Sequence, residues 1–258
     1  MRKNILFLLI VLAVLCSSCS STTKNTVTQT STIDALLAGV YDGNMTCRQL
    51  LKHGDFGLGT FDHLDGEMVV LNGQVYQIKA DGKVYTPSET MTTPFAAVCE
   101  FKQEDNSLLL ERGADYKALR ARVNNIIPNQ NVFCAIKITG VFKNMKTRSV
   151  PRQQKPYPPL VEVTKNQPVF DMKNISGTIV GFRCPPFVKG INIPGYHLHF
   201  ISDDRRKGGH ILAFELISGV CHLDICNQFL LILPEKGEGL GHLDLSKDRS
   251  TELEQVEQ

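Results

Sequence analysis

Three of the seven histidines in this chain lie close together in one short segment. His197 and His199 are separated by one residue and flanked by Tyr, Leu, Phe and Ile, a composition that favours a β-strand. Side chains alternate along a strand, so both imidazoles lie on the same face. Residues 203–209 are polar and end in two glycines, which predicts a turn, and His210 then begins a returning apolar strand.

If residues 203–206 form the loop of this hairpin, His199 faces His210, at a Cβ separation of about 5 Å. Three neutral imidazoles that leave coordination positions open are the usual ligands of a catalytic zinc ion. Imidazoles also suit Mn, Fe and Ni, with zinc as the default expectation. One histidine on a strand is more often structural, but three on paired strands favour a metal site. The remaining histidines have no comparable pairing and are interpreted as surface or structural residues: His53, His63, His222 and His242.

The N-terminus predicts export. Two basic residues precede the apolar run Ile5–Leu15, which has the length of a signal-peptide core and is too short to span a bilayer. Small residues before Cys19 suggest lipoprotein processing, with Cys19 acylated and residues 1–19 forming the leader; Cys16 is unusual at its position and leaves ordinary cleavage nearby open. Residues 20–32 are rich in Ser, Thr and Asn and are interpreted as a flexible tether. The expected location is therefore outside the cytoplasm, on the membrane or in the periplasmic or extracellular space.

Composition bounds the rest of the chain. Roughly 225 residues remain, enough for one large or two small domains, and 42% hydrophobic residues suffice for a core. A net charge of +2 gives no sign of a nucleic-acid partner. Six cysteines follow Cys19, for which buried thiols and disulfides are both open. Cys221 and Cys226 are five apart, so a strand would place them on opposite faces, which argues against a shared metal.

The patterns of the body of the chain predict a β-rich fold. Asn72-Gly73 between two alternating segments is a strong hairpin signal. The other predicted features are a helix over Asp115–Ile127, a strand over Asn131–Phe142, a stiff linker and domain boundary at Lys155–Pro159, and a turn at Ser176-Gly177.

Two further polar residues could serve a metal centre. Glu67 follows a segment rich in glycine and polar groups, where glycines permit close approach of backbone and ligand. Arg148 follows a predicted strand. Composition alone favours a plainer interpretation, in which Glu67 is a solvated strand start and Arg148 an ordinary exposed arginine.

Several motifs together resemble the alpha-acetolactate decarboxylase family. They are Gly59-Thr60-Phe61 with Leu64-Asp65-Gly66-Glu67, Arg148-Ser149-Val150-Pro151 with Lys155-Pro156-Tyr157-Pro158-Pro159, and Gly195-Tyr196-His197-Leu198-His199-Phe200 with Gly209-His210. Their order and spacing match the family over about residues 33–258. The resemblance implies an α+β, β-rich fold with an N-terminal mixed sheet and helices (33–155) and a smaller antiparallel β-barrel-like C-terminal subdomain (156–258). It also implies zinc between the subdomains and a homodimer.

The resemblance also implies the roles of site residues. The zinc ligands would be His197, His199 and His210. Glu67 would lie at the metal and handle protons, Arg148 would bind the substrate carboxylate, and Thr60 would line the pocket. A glutamate of the polar tail would also act, with Glu257 preferred and Glu254 as the second choice. The apolar residues Leu253 and Val256 could anchor one turn of this tail, which composition alone predicts to be disordered.

The implied reaction suits these residue types. The substrate would be 2-acetolactate, a 2-hydroxy-3-keto acid whose loss of CO2 leaves an enediolate that a zinc ion can stabilise as a Lewis acid. Arg148 could hold the carboxylate in a bidentate fork, and a glutamate could protonate one face of the enediolate to give one enantiomer of acetoin.

Two alternative functions stay open. A cupin-like metal oxygenase needs a glutamate soon after the second histidine, but none occurs before Glu215. A non-catalytic metal-binding surface lipoprotein would need neither Glu67 nor Arg148.

Overall fold

The computed structural model describes residues 25–103, 107–234 and 239–257. Two β-sheets make up most of this part of the chain, and apolar side chains from both fill a shared core. Short helices flank the sheets. The predicted β-rich α+β class is therefore confirmed.

Sheet 1 is a mixed sheet of seven strands. Its strands are β1 (Thr26–Thr30), β3 (Phe56–Thr60), β4 (Glu67–Leu71), β5 (Gln74–Ile78), β6 (Val84–Tyr85), β8 (Ala96–Cys99) and β14 (Gln228–Ile232). Their order is β14-β1-β8-β3-β4-β5-β6, and β1 pairs with β14 in parallel while the other pairs are antiparallel. A separate ribbon pairs β2 (Met45–Thr46) with β7 (Thr92–Thr93).

Sheet 2 is antiparallel and nearly closed. It contains β9 (Ser107–Leu110), β10 (Phe133–Arg148), β11 (Val169–Cys184), β12 (Gly195–Ser202) and β13 (Gly208–Cys226). The order is β10-β11-β12-β13-β9, and β10 also pairs with β13. This second pairing joins four strands in a ring, the barrel-like arrangement that the family resemblance implies.

The predicted hairpin of sheet 1 is confirmed. Leu71 of β4 pairs with Gln74 of β5, and only Asn72 and Gly73 lie between them. Both turn residues have positive φ, 53° and 74°. A type I′ turn needs this backbone at both positions, and Asn-Gly supplies it with little strain.

Within the described ranges, five α-helices flank the sheets: α1 (Ile33–Leu37), α2 (Cys47–Leu50), α3 (Tyr116–Ile126), α4 (Leu160–Thr164) and α5 (Ser250–Glu257). The prediction of α3 is confirmed. The carboxylate of Asp115 caps α3 by accepting a hydrogen bond from the Ala118 amide at 2.8 Å.

One prediction within sheet 2 is wrong, and one predicted strand is confirmed but longer than expected. Ser176 and Gly177 form no turn but lie inside β11. Gly177 serves close packing there, because a Cβ would lie 2.5 Å from the Ile201 carbonyl oxygen and from the Phe200 ring. The strand expected over 131–142 continues to Arg148, since irregular register after Val141 interrupts the side-chain alternation that marks a strand.

The tether predicted over residues 20–32 is wrong for residues 26–30. Residues 26–30 form β1 between β8 and β14, and Val27 is fully buried. Threonine and valine are β-branched and suit a strand, so this polar composition conceals an ordered segment. Residues 1–24, with the predicted leader and Cys19, lie outside the described residues. No helix within the described ranges is long and apolar enough to cross a membrane.

Strands from both sides of the linker at residue 155 contribute to each sheet, and the domain boundary there stays a prediction.

The cysteines that follow Cys19 are buried free thiols, so of the two open alternatives, thiols and disulfides, the structure favours thiols. The six residues are Cys47, Cys99, Cys134, Cys184, Cys221 and Cys226.

Candidate metal centre and active site

The three predicted ligands form one buried group. His199 lies directly opposite His210 in the β12–β13 ladder, as the spacing predicts, and His197 precedes His199 on the same face. Ring centroids are 5.0 Å apart for His197 with either partner and 5.3 Å for His199 with His210. One possible ligand atom from each ring lies within 4.8 Å of the others. The grouping of these residues is therefore confirmed.

The nitrogen atoms of this group are suited to a cation. His197 Nδ1 and His199 Nε2 are buried and have no hydrogen-bond partner among the described residues. A buried polar atom of this kind is unfavourable unless a ligand satisfies it. Burial lowers the pKa of His199 to about 3, and burial together with His199 and Arg148 lowers that of His197. Burial and then Arg148 also lower the pKa of His210. Neutral imidazoles are the form that binds metals, so the residues fit a divalent cation such as zinc.

Sheet 1 orients one of these rings. His199 Nδ1 donates a hydrogen bond to the Met68 carbonyl oxygen of β4 at 2.8 Å. This bond fixes the tautomer in which Nδ1 carries the proton and Nε2 keeps its lone pair for a ligand. The packing of the two sheets therefore determines which nitrogen of His199 is available to bind a metal.

Glu67 is the first residue of β4 and pairs with Thr60 of β3. Its Oε2 atom lies 3.5 Å from His199 Nε2, and its side chain is 9% exposed. Burial raises the pKa of Glu67 to about 7, Glu257 adds to this shift, and Arg148 opposes it. The plainer interpretation of Glu67 as a solvated strand start is wrong. Thr60 Oγ1 donates to the Gly66 carbonyl oxygen at 2.7 Å, which braces the turn into β4.

Arg148 ends β10 and lies opposite His210 in the ladder. Its side chain is 4% exposed, so the plainer interpretation as an exposed arginine is also wrong. Nη1 donates to Gln167 Oε1 and Nη2 to the Val256 carbonyl oxygen, both at 2.7 Å. Nε is buried and has no partner among the described residues.

The C-terminal tail folds back over the centre. Val256 is buried against Leu160 and Val163 of α4, and Leu253 packs beside it, as the spacing of the two apolar residues suggests. This anchor ends α5 next to the histidines, so the disorder predicted from composition is wrong for α5.

The two candidate glutamates of α5 differ in position. Glu257 Oε2 lies 3.7 Å from His210 Nε2, and Glu257 Oε1 lies 3.8 Å from Arg148 Nη2. Burial raises the pKa of Glu257 to about 7, against the effect of Arg148. Glu254 is exposed. The structure therefore brings Glu257, rather than Glu254, to the three histidines.

These groups surround one small cavity of about 40 Å³. Its polar lining comprises Thr60, Glu67, Arg148, His197, His210 and Glu257. Apolar side chains complete the wall: Ile33, Leu36, Leu64, Phe95, Val150, Leu160, Ile193 and Val256. Such a wall limits water and strengthens the interactions of charges inside. A larger cavity of about 580 Å³ adjoins it and shares Ile193, His210 and Glu257.

Sequence reasoning missed two contacts at the centre. Met68 acts through its carbonyl oxygen, so its side chain gives no signal, and Gln167 stands in no recognisable motif.

His63 lies beside Asp42 and Asp62, outside the centre. Its ring contacts the Tyr157 hydroxyl and lies 3.1 Å from Asp62 Oδ2, so partners within the protein account for this group.

The sheets and the buried polar group define a class of protein. Two carboxyl groups, one arginine and two neutral imidazoles line a cavity with apolar walls, and the third imidazole, that of His199, lies beside the other two. This combination is typical of metal-binding enzymes that act on small anionic substrates.

The comparison with known proteins narrows this class to one family. The sequence model of "Alpha-acetolactate decarboxylase" matches residues 27–247. The Methanosarcina mazei alpha-acetolactate decarboxylase is 48% identical over 89% of this chain and 79% of its own length. The Methylococcus capsulatus protein of that name is 44% identical, over 90% and 88%. The crystal structure of the Bacillus subtilis strain 168 alpha-acetolactate decarboxylase superposes with a TM-score of 0.87 at 35% identity, over 90% of this chain and 99% of that one. The chain belongs to the alpha-acetolactate decarboxylase family.

Proposed function

We propose that the protein is an acetolactate decarboxylase, a carboxy-lyase that converts 2-acetolactate to acetoin and CO2. The observation that carries this proposal is the cavity lined by Arg148, two carboxyl groups and two of the three grouped histidines. Family membership supports the same reaction. A cupin-like oxygenase and a non-catalytic metal-binding lipoprotein explain neither the family match nor the buried arginine and glutamates.

Zinc is the proposed metal, held by His197, His199 and His210. When bound, it supplies Lewis-acid stabilisation for the negative charge that develops on the substrate oxygens during decarboxylation. The protein holds the three imidazoles neutral by burial and fixes the His199 tautomer through Met68.

Arg148 binds the carboxylate that leaves as CO2. Its guanidinium keeps unused N–H donors after its bonds to Gln167 and Val256, and a carboxylate can accept two of them in a fork. Holding the carboxylate fixes the direction of the bond that breaks. The electron pair of that bond stays on the substrate carbon and forms the enediolate.

Glu67 and Glu257 handle the protons. Each carboxyl group has a pKa of about 7, which suits proton transfer near neutral pH. They approach the histidines from different elements, β4 and α5. Delivery of a proton from one side gives a single acetoin enantiomer, and we assign this role to Glu257 with Glu67 as its partner.

Export and dimerisation are also proposed. The basic start, apolar run and Cys19 support a secreted lipoprotein on the membrane surface, although these residues lie outside the described part.

The homodimer is supported by the outer edge of β14, which no strand covers within the described ranges. Leu230 and Leu233 there are 44% and 52% exposed. Light scattering of the purified protein should give twice the mass of one chain, and a single-chain mass would refute the dimer.

The reaction is tested with purified protein and racemic 2-acetolactate. We expect acetoin and CO2 in equal amounts, with one acetoin enantiomer in excess on a chiral column. A His199→Ala variant should lose this activity, whereas His242→Ala serves as control because His242 is exposed. Racemic acetoin at the spontaneous rate from the wild-type protein would refute the proposed function.

A further inference from the structure

Arg148 is held in place by two uncharged oxygen atoms. Nη1 donates to the side-chain amide oxygen of Gln167, and Nη2 donates to the backbone carbonyl oxygen of Val256, each at 2.7 Å. Within the described ranges, the nearest carboxylate contact is with Glu257 at 3.8 Å, which is longer than a hydrogen bond. The two hydrogen bonds that orient the guanidinium are therefore made to uncharged acceptors, and its ion pair with Glu257 is longer than a hydrogen bond.

The surrounding elements hold both acceptors firmly. Gln167 lies between α4 and β11, and β11 begins opposite Arg148 because Val169 pairs with it. The Ser149 amide donates to the Pro168 carbonyl oxygen at 3.3 Å, which ties this segment to the end of β10. Val256 packs against α4 in the same apolar cluster. Both acceptors of Arg148 therefore lie beside α4, because Gln167 follows this helix in the chain and Val256 packs against it.

An uncharged acceptor at Gln167 has a chemical consequence. A glutamate in this position would form a charge-assisted bond to Nη1 and neutralise the guanidinium. A glutamine makes the same bond and leaves the positive charge available to an anion. Two of the five guanidinium N–H groups donate hydrogen bonds to the protein, and the buried Nε–H has no partner among the described residues.

We propose that Gln167 is a positioning residue that orients Arg148 for the substrate carboxylate while preserving its charge. This inference rests on the proposed function, because it assigns Arg148 to the carboxylate of a 2-hydroxy-3-keto acid. Gln167 acts through Arg148 and touches no reacting atom. Its contribution falls on binding of the ionised substrate, since the carboxylate charge disappears as CO2 leaves.

Three variants test the inference. Gln167→Glu has the same shape and adds a charge, and Gln167→Leu removes the acceptor at similar size. Asn166→Asp is the matched control, because Asn166 is exposed and receives the same charge one residue away. For each variant we would measure KM, kcat, zinc content and thermal unfolding. Calorimetric titration with 2-hydroxy-2-methylpropanoate adds a measure of carboxylate binding that is independent of turnover, because this acid has no ketone and cannot decarboxylate.

We expect Gln167→Glu to raise KM and the Kd of the carboxylate probe about tenfold or more, with kcat changed much less. Gln167→Leu should raise both about threefold to tenfold, and Asn166→Asp should match wild type within twofold. Folded, zinc-loaded Gln167→Glu with wild-type KM and probe Kd would overturn the inference, as would an equal effect of Asn166→Asp. If Gln167→Glu does not fold, an unchanged probe Kd in Gln167→Leu overturns it. Failure of the proposed function is distinct, because wild-type protein would then make no acetoin.

Discussion

The Glu257 carboxylate lies 3.7 Å from Nε2 of His210. Glu257 belongs to the C-terminal helix α5, whereas His210 belongs to β13 of sheet 2. The contact exists because Val256 anchors the last turn of α5 in an apolar cluster. A titratable group with a pKa of about 7 is thereby fixed at the centre. The tail is thus part of the candidate active site.

The first prediction concerns this carboxyl group. Glu257→Gln keeps the side-chain shape and removes the titratable proton, so we expect kcat to fall by about 10²- to 10⁴-fold. Glu254→Gln is the matched control on the same helix, and its exposed side chain should allow activity within twofold of wild type. Initial rates of acetoin formation check both. An inactive Glu254→Gln beside an active Glu257→Gln would reverse the assignment.

The second prediction concerns Arg148. Lysine keeps the charge but cannot reach Gln167 and Val256 with two donors of a planar fork. We expect Arg148→Lys to retain zinc and lose at least about 10²-fold in kcat/KM, because correct positioning of the substrate depends on the fork. Arg152→Lys is the control, since the Arg152 side chain is 56% exposed. Wild-type kinetics in Arg148→Lys would contradict the assignment of Arg148 to the substrate.

The third prediction follows from the raised pKa of Glu67, about 7 against an ordinary 4.5. In metal-free protein the folded state binds this proton more tightly than the unfolded state, so the stability contributed by Glu67 falls as pH rises from 4.5 to 7. Glutamine stays neutral at every pH. Glu67→Gln should therefore match wild type near pH 4 and exceed it by about 1–3 kcal/mol at pH 8.

Urea unfolding of both metal-free proteins at the two pH values measures this difference. Glu252→Gln provides a control carboxyl outside the cavity lining, and it should show no comparable gain at pH 8. A stability difference for Glu67→Gln that is the same at pH 4 and pH 8 would show that Glu67 does not titrate as described.

The fourth prediction concerns export. Cells expressing the full chain should incorporate labelled palmitate into it and hold it in the membrane fraction, and Cys19→Ala should abolish both. Cys16→Ala is the control, because Cys16 should lie in the removed leader. Mature protein that retains Met1 in the cytoplasm would refute export.

Sequence reasoning succeeded where the signal is local. The period-2 spacing of His197 and His199, and the turn before His210, define a hairpin whose pairing follows from loop length. Asn72-Gly73 likewise specifies a turn through its backbone preference. Such features need no knowledge of the rest of the fold.

Burial and distant contacts were less predictable. Glu67 and Arg148 have ordinary sequence surroundings, and only the packing of other elements over them removes them from water. The contact of Arg148 with Gln167 depends on where β11 begins, and the bond of His199 to Met68 depends on how the sheets meet. Family resemblance indicated the roles of Glu67, Arg148 and Glu257, whereas composition alone favoured solvated residues and a disordered tail.

The central claim is that decarboxylation requires one metal ion held by the three histidines. The most direct measurement is titration of zinc into metal-free protein while following acetoin formation from 2-acetolactate. Activity should start near zero, rise linearly and level off at one zinc per chain, and the same titration of His197→Ala should give no rise. Full activity of the metal-free protein, or full zinc-dependent activity of His197→Ala, would contradict the account.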